Sequence, residues 1–264
     1  DAPLADANLV VLAVPSTAFA GVVAALPGNA PVLSLTKGLD PDTGLRMSEL
    51  VAELLPGHPV AVLSGPNLAR EVMQGRAAAS VIAMEDPLIV KELQRLFHSG
   101  LFRVYTNSDV VGCELGGVLK NVIAIAAGMG DGLGAGDHPR SALLTRGLAE
   151  VTRLGVALGG RPETFAGLAG MGDLIATCTS PLSRNRHVGT ELAKGRSLDD
   201  IIAEMRMVAE GVKSAPLIMT LADRHGVSMP ISQDVHDVLT GRKAVADVFK
   251  GLIRSAAGSE SEAG

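Results

Sequence analysis

A lysine, Lys120, lies within the apolar and small-residue stretch GGVLKNVIAIAAGMG. Burying an ammonium group costs free energy unless it is paired with an acid, solvated by polar groups or neutralised. A neutral lysine can accept a proton, so Lys120 is a candidate general base. A neighbouring cation such as Lys37 would favour its neutral form, whereas Asp173 would favour its charged form.

The segment GLAGMGDLIATCTSPLSRNRHVG contains a second group of candidates. Asp173 opens a helical pattern, and Thr177 follows four residues later, on the same helix face. Ser183 fits an N-cap, with Arg184 and Asn185 in the first turn behind it. Backbone N–H groups, the helix dipole and a guanidinium would then converge, which suits a phosphate. Simple capping and surface salt bridges would explain the same residues.

Three predicted strands end in polar or turn-forming residues: AVPS at 13–16, LTKG at 35–38 and LSGPN at 63–67. Ligands of open parallel sheets bind beyond the carboxyl ends of the strands, so these ends are candidate ligand contacts. Each pattern alone is also typical of ordinary turns, and Lys37 alone fits a surface loop.

Residues 1–108 alternate short apolar strands with helical patterns, which predicts a Rossmann-like α/β domain whose parallel sheet is covered on both faces. The strands are predicted at 8–14, 31–36, 60–65, 78–84 and 101–106. The helices between them are predicted at 18–26, 46–55, 67–75 and 86–98.

Residues 109–264 are predicted to form an all-helical domain with a disordered tail from about residue 255. Its main helices are predicted at 108–130, 141–159, 183–195 and 209–226. The alternating glycines of 128–136 follow a helix rather than a strand, so they indicate a helix end and turn, not a dinucleotide fingerprint.

Composition, charge and cysteine spacing argue against several classes of protein. A net charge of −5 with six aromatic residues disfavours a nucleic-acid surface. Cys113 and Cys178 form no CxxC motif, which favours reduced thiols in a cytoplasmic protein without a metal site. The uncharged stretch 7–36 is interrupted by proline and glycine, so we expect no membrane insertion. The sequence opens with Asp and no basic leader, which indicates a start inside a domain.

Six ordered blocks carry a resemblance to a known family: LSLTKGL, LSGPNLAREVMQG, LKNVIAIAAGMGDGLGAGD, LTRGLAEVTRLG, GLAGMGDLIATCTSPLSRNRHVG and VAEGVKSAPLIMTLADRHGVSMPI. From about Asn8 to Lys250 the chain resembles the bacterial NAD(P)-dependent sn-glycerol-3-phosphate dehydrogenase family. The resemblance implies a Rossmann-like domain followed by a helical domain of the 6-phosphogluconate dehydrogenase type. It also implies a cytoplasmic homodimer that uses NAD or NADP to interconvert dihydroxyacetone phosphate and glycerol 3-phosphate for glycerophospholipid synthesis.

The resemblance also implies roles for individual residues. Lys120 would accept the proton of the C2 hydroxyl, and Arg184 and Asn185 would hold the substrate phosphate. Substrate contacts are implied at Lys37, Gly65, Asn67, Lys120, Asn121, Asp173, Thr177, Ser183, Arg184 and Asn185. Cofactor contacts are implied at Pro15, Lys37, Ala69, Arg184, Val208 and Glu210.

The sequence departs from the family at three places. The family's first strand, glycine-rich turn, first helix and second strand are absent from the sequence. We therefore expect this chain to need that segment for efficient dinucleotide binding. Asn67 stands where Ser or Thr is usual, and GDHPRSA at 136–142 replaces GDNTKAA. Two alternatives remain: a β-hydroxyacid dehydrogenase of the same superfamily, which the SRN and TKG motifs disfavour, and a shortened paralogue that no longer turns over.

Overall fold

The computed structural model describes residues 4–205 and 209–248. The predicted tail from about residue 255 lies outside these ranges. The chain divides into two compact units, the first formed by Asp1–Val118 with Gly159–Asp173 and the second by Leu119–Leu158 with Leu174–Gly264.

The first unit contains a five-stranded sheet whose strands follow one another in space as they do in the chain. They are β1 (Val10–Leu12), β2 (Val32–Ser34), β3 (Val60–Ser64), β4 (Ala78–Ala83) and β5 (Phe102–Asn107). The four helices predicted between the strands are also present: α1 (Ser16–Ala24), α2 (Met47–Leu54), α3 (Ala69–Met73) and α4 (Pro87–Phe97). The predicted Rossmann-like α/β architecture is therefore confirmed.

Apolar side chains cover both faces of the sheet, because neighbouring residues of a strand point to opposite sides. On β2, Val32 packs with Phe19 of α1 and Met47 of α2. The next residue, Leu33, belongs to the cluster that contains Leu93 of α4. This two-sided burial explains why the strands read as continuous apolar runs.

One strand contact differs from the predicted parallel arrangement. The pairs β1–β2, β2–β3 and β4–β5 are parallel, but β3 and β4 are antiparallel, with Val62 opposite Ala83. A parallel crossover requires a helix that packs back on the sheet. The intervening α3 has five residues and buries none of them, so the chain turns back and β4 pairs in the opposite direction.

The described part of the chain after Asp109 is helical, as predicted. Its helices are α5 (Val110–Gly132), α6 (Asp137–Ala157), α7 (Pro162–Phe165), α8 (Asp173–Thr179), α9 (Arg184–Ala193), α10 (Leu198–Glu204), α11 (Glu210–His225) and α12 (Pro230–Leu239). A π-helical turn at Leu168–Gly172 precedes α8. The first unit includes α5 up to Val118, α7 and the π turn, and the second unit holds the remainder.

The glycine run after residue 128 ends α5 and forms a turn, as predicted, with Gly134 and Gly136 at φ of 73° and 83°. Within the second unit, glycine also lets α5 and α9 approach very closely. A Cβ added to Gly128 would lie 1.9 Å from the carbonyl oxygen of Arg186, and one added to Gly189 would lie 2.0 Å from that of Ile125. No side chain fits at either position, so the two backbones are in direct contact.

Helix α5 has the length and apolarity of a membrane span, but 83% of its most apolar window is buried inside the protein. Such burial is typical of a core helix. Cys113 on this helix and Cys178 on α8 are both buried, and neither forms a disulfide bond. Burial, with a smaller contribution from the charges of Asp109 and Glu114, raises the pKa of Cys113 from its ordinary 9.0 to about 12.

Candidate active site

In the first unit, the Lys37 ammonium is bonded to three oxygen acceptors. Its Nζ donates to the carbonyl of Gly65 at 2.9 Å, to Oδ1 of Asn67 at 3.1 Å and to Oδ2 of Asp173 at 2.7 Å. The Asp173 side chain is 3% exposed and that of Lys37 is 21% exposed. An ammonium has three hydrogens, so these contacts use its whole donor capacity.

These residues lie at the predicted edge of the sheet. Because β1, β2 and β3 are parallel, their carboxyl ends share one edge, and Pro15, Lys37 and Gly65 each follow one of these strands. Asn67 is fixed in orientation because its Nδ2 donates to Oγ of Ser80 at 3.0 Å. Ser80 lies on β4, whose reversed direction was not predicted.

In the second unit, the buried lysine of the apolar stretch is bonded to a hydroxyl. Lys120 is 5% exposed and Thr177 is 6% exposed. The Nζ of Lys120 donates to Oγ1 of Thr177 at 2.6 Å, joining α5 to α8. The pattern placing Asp173 and Thr177 on one helix is confirmed, because both belong to α8.

Helix α9 begins as the sequence predicts. Ser183 is its N-cap, and the Ser183 Oγ accepts from the backbone N–H of Arg186 at 3.2 Å. Arg184 and Asn185 are the first two residues of the helix. The first N–H groups of an α-helix have no acceptor within the helix, and the dipole makes this end positive, so it favours an anion.

A chain of amide hydrogen bonds joins three helices next to this turn. Asn185 Nδ2 donates to Oδ1 of Asn121 on α5 at 2.9 Å. Asn185 Oδ1 accepts from the backbone N–H of Gly211 on α11 at 3.0 Å. Both asparagines are buried, at 5% and 7% exposure, so these bonds fix how α5, α9 and α11 meet.

The other residues assigned to the cofactor take separate positions. Pro15 is the N-cap of α1, Ala69 is the first residue of α3 and Glu210 is the first residue of α11. Val208 lies outside the described residues. Among the residues that the structure describes, no group of three or more His, Cys, Asp or Glu side chains could hold a metal ion.

Several residues of these clusters were not singled out from the sequence. Ser80 and Gly211 orient Asn67 and Asn185, and Asp131 pairs with Arg186 on α9 at 2.6 Å. One local signal marks Asp131: an acidic residue in the last turn of a helix is disfavoured by the dipole unless it has a cationic partner.

Comparison with known proteins gives matches along both parts of the chain. Family models of the N-terminus and C-terminus of NAD-dependent glycerol-3-phosphate dehydrogenase match residues 1–89 and 109–250. Glycerol-3-phosphate dehydrogenase (NAD(P)+) 2 of Sphingopyxis alaskensis is 66% identical over 99% of this chain and 80% of its own length. The corresponding enzyme of Mycobacterium avium is 52% identical over 96% of this chain and 76% of its own length.

A solved structure agrees with the sequence matches. The glycerol-3-phosphate dehydrogenase of Coxiella burnetii superposes with a TM-score of 0.90 at 36% identity, covering 94% of this chain and 77% of its own chain. The resemblance first seen in six sequence blocks thus extends through both parts of the chain, and the chain belongs to the NAD-dependent glycerol-3-phosphate dehydrogenase family.

Proposed function

We propose that this protein is an NAD(P)-dependent oxidoreductase that interconverts dihydroxyacetone phosphate and sn-glycerol 3-phosphate. The observation that carries the proposal is that Lys120 is only 5% exposed and is bonded to Thr177. It is made in a chain that is 66% identical to an enzyme named for this activity. A lysine held in place by a hydroxyl is suited to exchanging a proton with a substrate alcohol.

Lys120 moves the proton of the reaction. In the direction of oxidation its neutral amine accepts the proton of the C2 hydroxyl. In the direction of reduction its ammonium returns that proton to the oxygen as the carbonyl becomes an alcohol. Thr177 accepts a hydrogen bond from Nζ and so orients the amine.

The start of α9 binds the substrate phosphate. Ser183 fixes the first turn, Arg184 supplies a guanidinium that can bind two phosphate oxygens, and Asn185 completes the turn. Support comes from the observed N-cap and from the amide bonds that hold Asn185 to Asn121. In the first unit, Lys37, Gly65, Asn67 and Asp173 supply the remaining substrate contacts.

The cofactor is NAD or NADP, which when bound takes up hydride from C2 or delivers hydride to it. The residues present fit such a group, because Pro15 and Lys37 follow neighbouring parallel strands at the edge where dinucleotides bind. The proposed cofactor contacts are Pro15, Lys37, Ala69, Arg184, Val208 and Glu210.

We further propose that the family's domain boundary lies between residues 108 and 109. The flanking matches to the two family models, 1–89 and 109–250, support it.

The protein acts as a cytoplasmic homodimer in glycerophospholipid synthesis and does not insert into a membrane. The burial of α5 inside the protein supports the absence of membrane insertion.

The test is an assay of NADH and NADPH oxidation by the intact protein with dihydroxyacetone phosphate. Lys120→Met should lower kcat by about 10²–10⁴-fold while leaving the circular dichroism spectrum unchanged. Lys91→Met, which changes an exposed lysine of α4, is the matched control and should keep full activity. A kcat above about a tenth of the wild-type value in Lys120→Met would exclude this lysine as the base.

A further inference from the structure

The carboxylate of Asp131 occupies an unusual position for an acidic residue. It lies in the last turn of α5, where the negative end of the helix dipole disfavours negative charge. Its side chain is only 10% exposed. A carboxylate kept there against the dipole requires compensation by cations, and two guanidinium groups supply it.

Both oxygens of Asp131 are bonded to arginine. Oδ2 accepts from Nε of Arg186 on α9 at 2.6 Å. Oδ1 accepts from Nη2 of Arg140 on α6 at 2.6 Å and from its Nε at 3.0 Å. Asp131 therefore joins the ends of three helices through charge-assisted hydrogen bonds.

Of these two arginines, Arg186 belongs to the first turn of α9, which is the proposed phosphate-binding turn. It lies two residues after Arg184, and its backbone N–H donates to the Ser183 N-cap. Its carbonyl oxygen packs against Gly128 of α5, where even a methyl group would not fit. Side chain and backbone of Arg186 are thus both held against α5, and the first turn of α9 is held with them.

We propose that Asp131 is a positioning residue for the substrate phosphate. By fixing Arg186 it sets the orientation of the first turn of α9, and so the direction in which Arg184 and the first N–H groups point. The inference rests on the proposed function of this turn as the phosphate site. Loss of the carboxylate loosens the turn and weakens phosphate binding, while proton exchange at Lys120 continues.

The test compares Asp131→Asn with Asp137→Asn in the intact protein. Asparagine keeps the size of Asp131 but lacks the negative charge that attracts the two guanidinium groups. Asp137 pairs with the same Arg140, yet it is 90% exposed and makes no bond to Arg186 among the described contacts, so it is the matched control. Asp131→Asn should raise the KM for dihydroxyacetone phosphate about 5–30-fold, the factor that corresponds to losing one strong coupling.

Two further measurements distinguish a positioning role of Asp131 from a general destabilisation of the protein. Inorganic phosphate should bind Asp131→Asn more weakly by a similar factor, measured by calorimetry, whereas kcat and turnover of unphosphorylated dihydroxyacetone should change less than twofold. Arg186→Gln should have the same effect, and combining it with Asp131→Asn should add almost nothing, because both variants remove the contact between Asp131 and Arg186.

Equal losses on the phosphorylated and unphosphorylated substrates, additive effects in the double variant, or an unchanged KM would each overturn the role of Asp131. A wild-type protein that binds phosphate but does not reduce dihydroxyacetone phosphate would instead contradict the proposed function. The calorimetric comparison of the variants would still test the positioning role in that case.

Discussion

Lys37 and Asp173 form an ion pair of 2.7 Å although they lie 136 positions apart in the chain. The same ammonium also bonds Gly65 and Asn67, so a substrate oxygen that approaches Lys37 must replace one of three existing acceptors. Asn67 is the most readily replaced, because its bond is the longest, at 3.1 Å, and its oxygen carries no full charge.

Replacing Lys37 with methionine should destabilise the protein as well as inactivate it. The variant leaves the carboxylate of Asp173, which is 3% exposed, without this cation. We expect the free energy of unfolding in urea to fall by about 1–3 kcal/mol, less than for a fully buried pair because Lys37 is partly exposed.

The double variant Lys37→Met with Asp173→Asn tests the cause of that loss. If the lost ion pair with Lys37 leaves the Asp173 carboxylate destabilising, the double variant should be no less stable than Lys37→Met alone. Additive destabilisation would show that the two side chains contribute separately.

Arg184 should act on the phosphate rather than on the reaction at C2. Arg184→Ala should raise the KM for dihydroxyacetone phosphate at least about tenfold, since truncating one partner of a desolvated charge pair costs about 2–4 kcal/mol. Arg184→Lys should restore only part of the affinity, because an ammonium lacks the two-pronged geometry of a guanidinium. Steady-state kinetics of the three proteins measure both effects.

Unphosphorylated dihydroxyacetone is the control substrate for Arg184. The wild-type protein should use it poorly, and Arg184→Ala should use it no worse. Equal losses on both substrates would assign Arg184 a general role in supporting the site.

Local patterns in the sequence predict much of this fold because they depend on neighbouring residues. Apolar runs and helical periodicity located β1–β5 and α1–α4, and a serine before Arg184 located the start of α9. The direction of β4 was predicted wrongly as parallel, because it depends on whether α3 packs on the sheet. The partners of Lys37 and Asn185 could not be predicted either, since Asp173 and Gly211 reach them only through tertiary packing.

The contact between α5 and α9 should tolerate no side chain at Gly189. Gly189→Ala would place a methyl group 2.0 Å from a carbonyl oxygen, so the helices must separate, and we expect a loss of at least about 2 kcal/mol of stability. Gly21→Ala is the matched control: Gly21 lies within α1 with nothing within 4 Å of the added methyl group. Alanine there should stabilise α1 by about 0.5–1 kcal/mol in thermal or urea unfolding.

Cys113 should resist modification in the folded protein. With a pKa of about 12 and complete burial, its thiol stays protonated at pH 8, so iodoacetamide should label it only after unfolding, as peptide mass spectrometry would show. Between about pH 9 and pH 12 the unfolded state releases this proton while the folded state keeps it. The stability of the wild type relative to Cys113→Ala should therefore decrease as the pH rises through that range, and a constant difference would contradict the assignment.

The amide bonds of Asn185 to Asn121 and Gly211 carry no net charge, unlike the pair of Asp131 and Arg186. Added salt screens attraction between ions, though less for a pair as buried as this one than for an exposed pair, and leaves amide hydrogen bonds almost unaffected. Neither asparagine can gain or lose a proton in the physiological range. Rising ionic strength thus weakens the ionic support of α9 first, while the spacing of α5, α9 and α11 stays fixed by neutral groups.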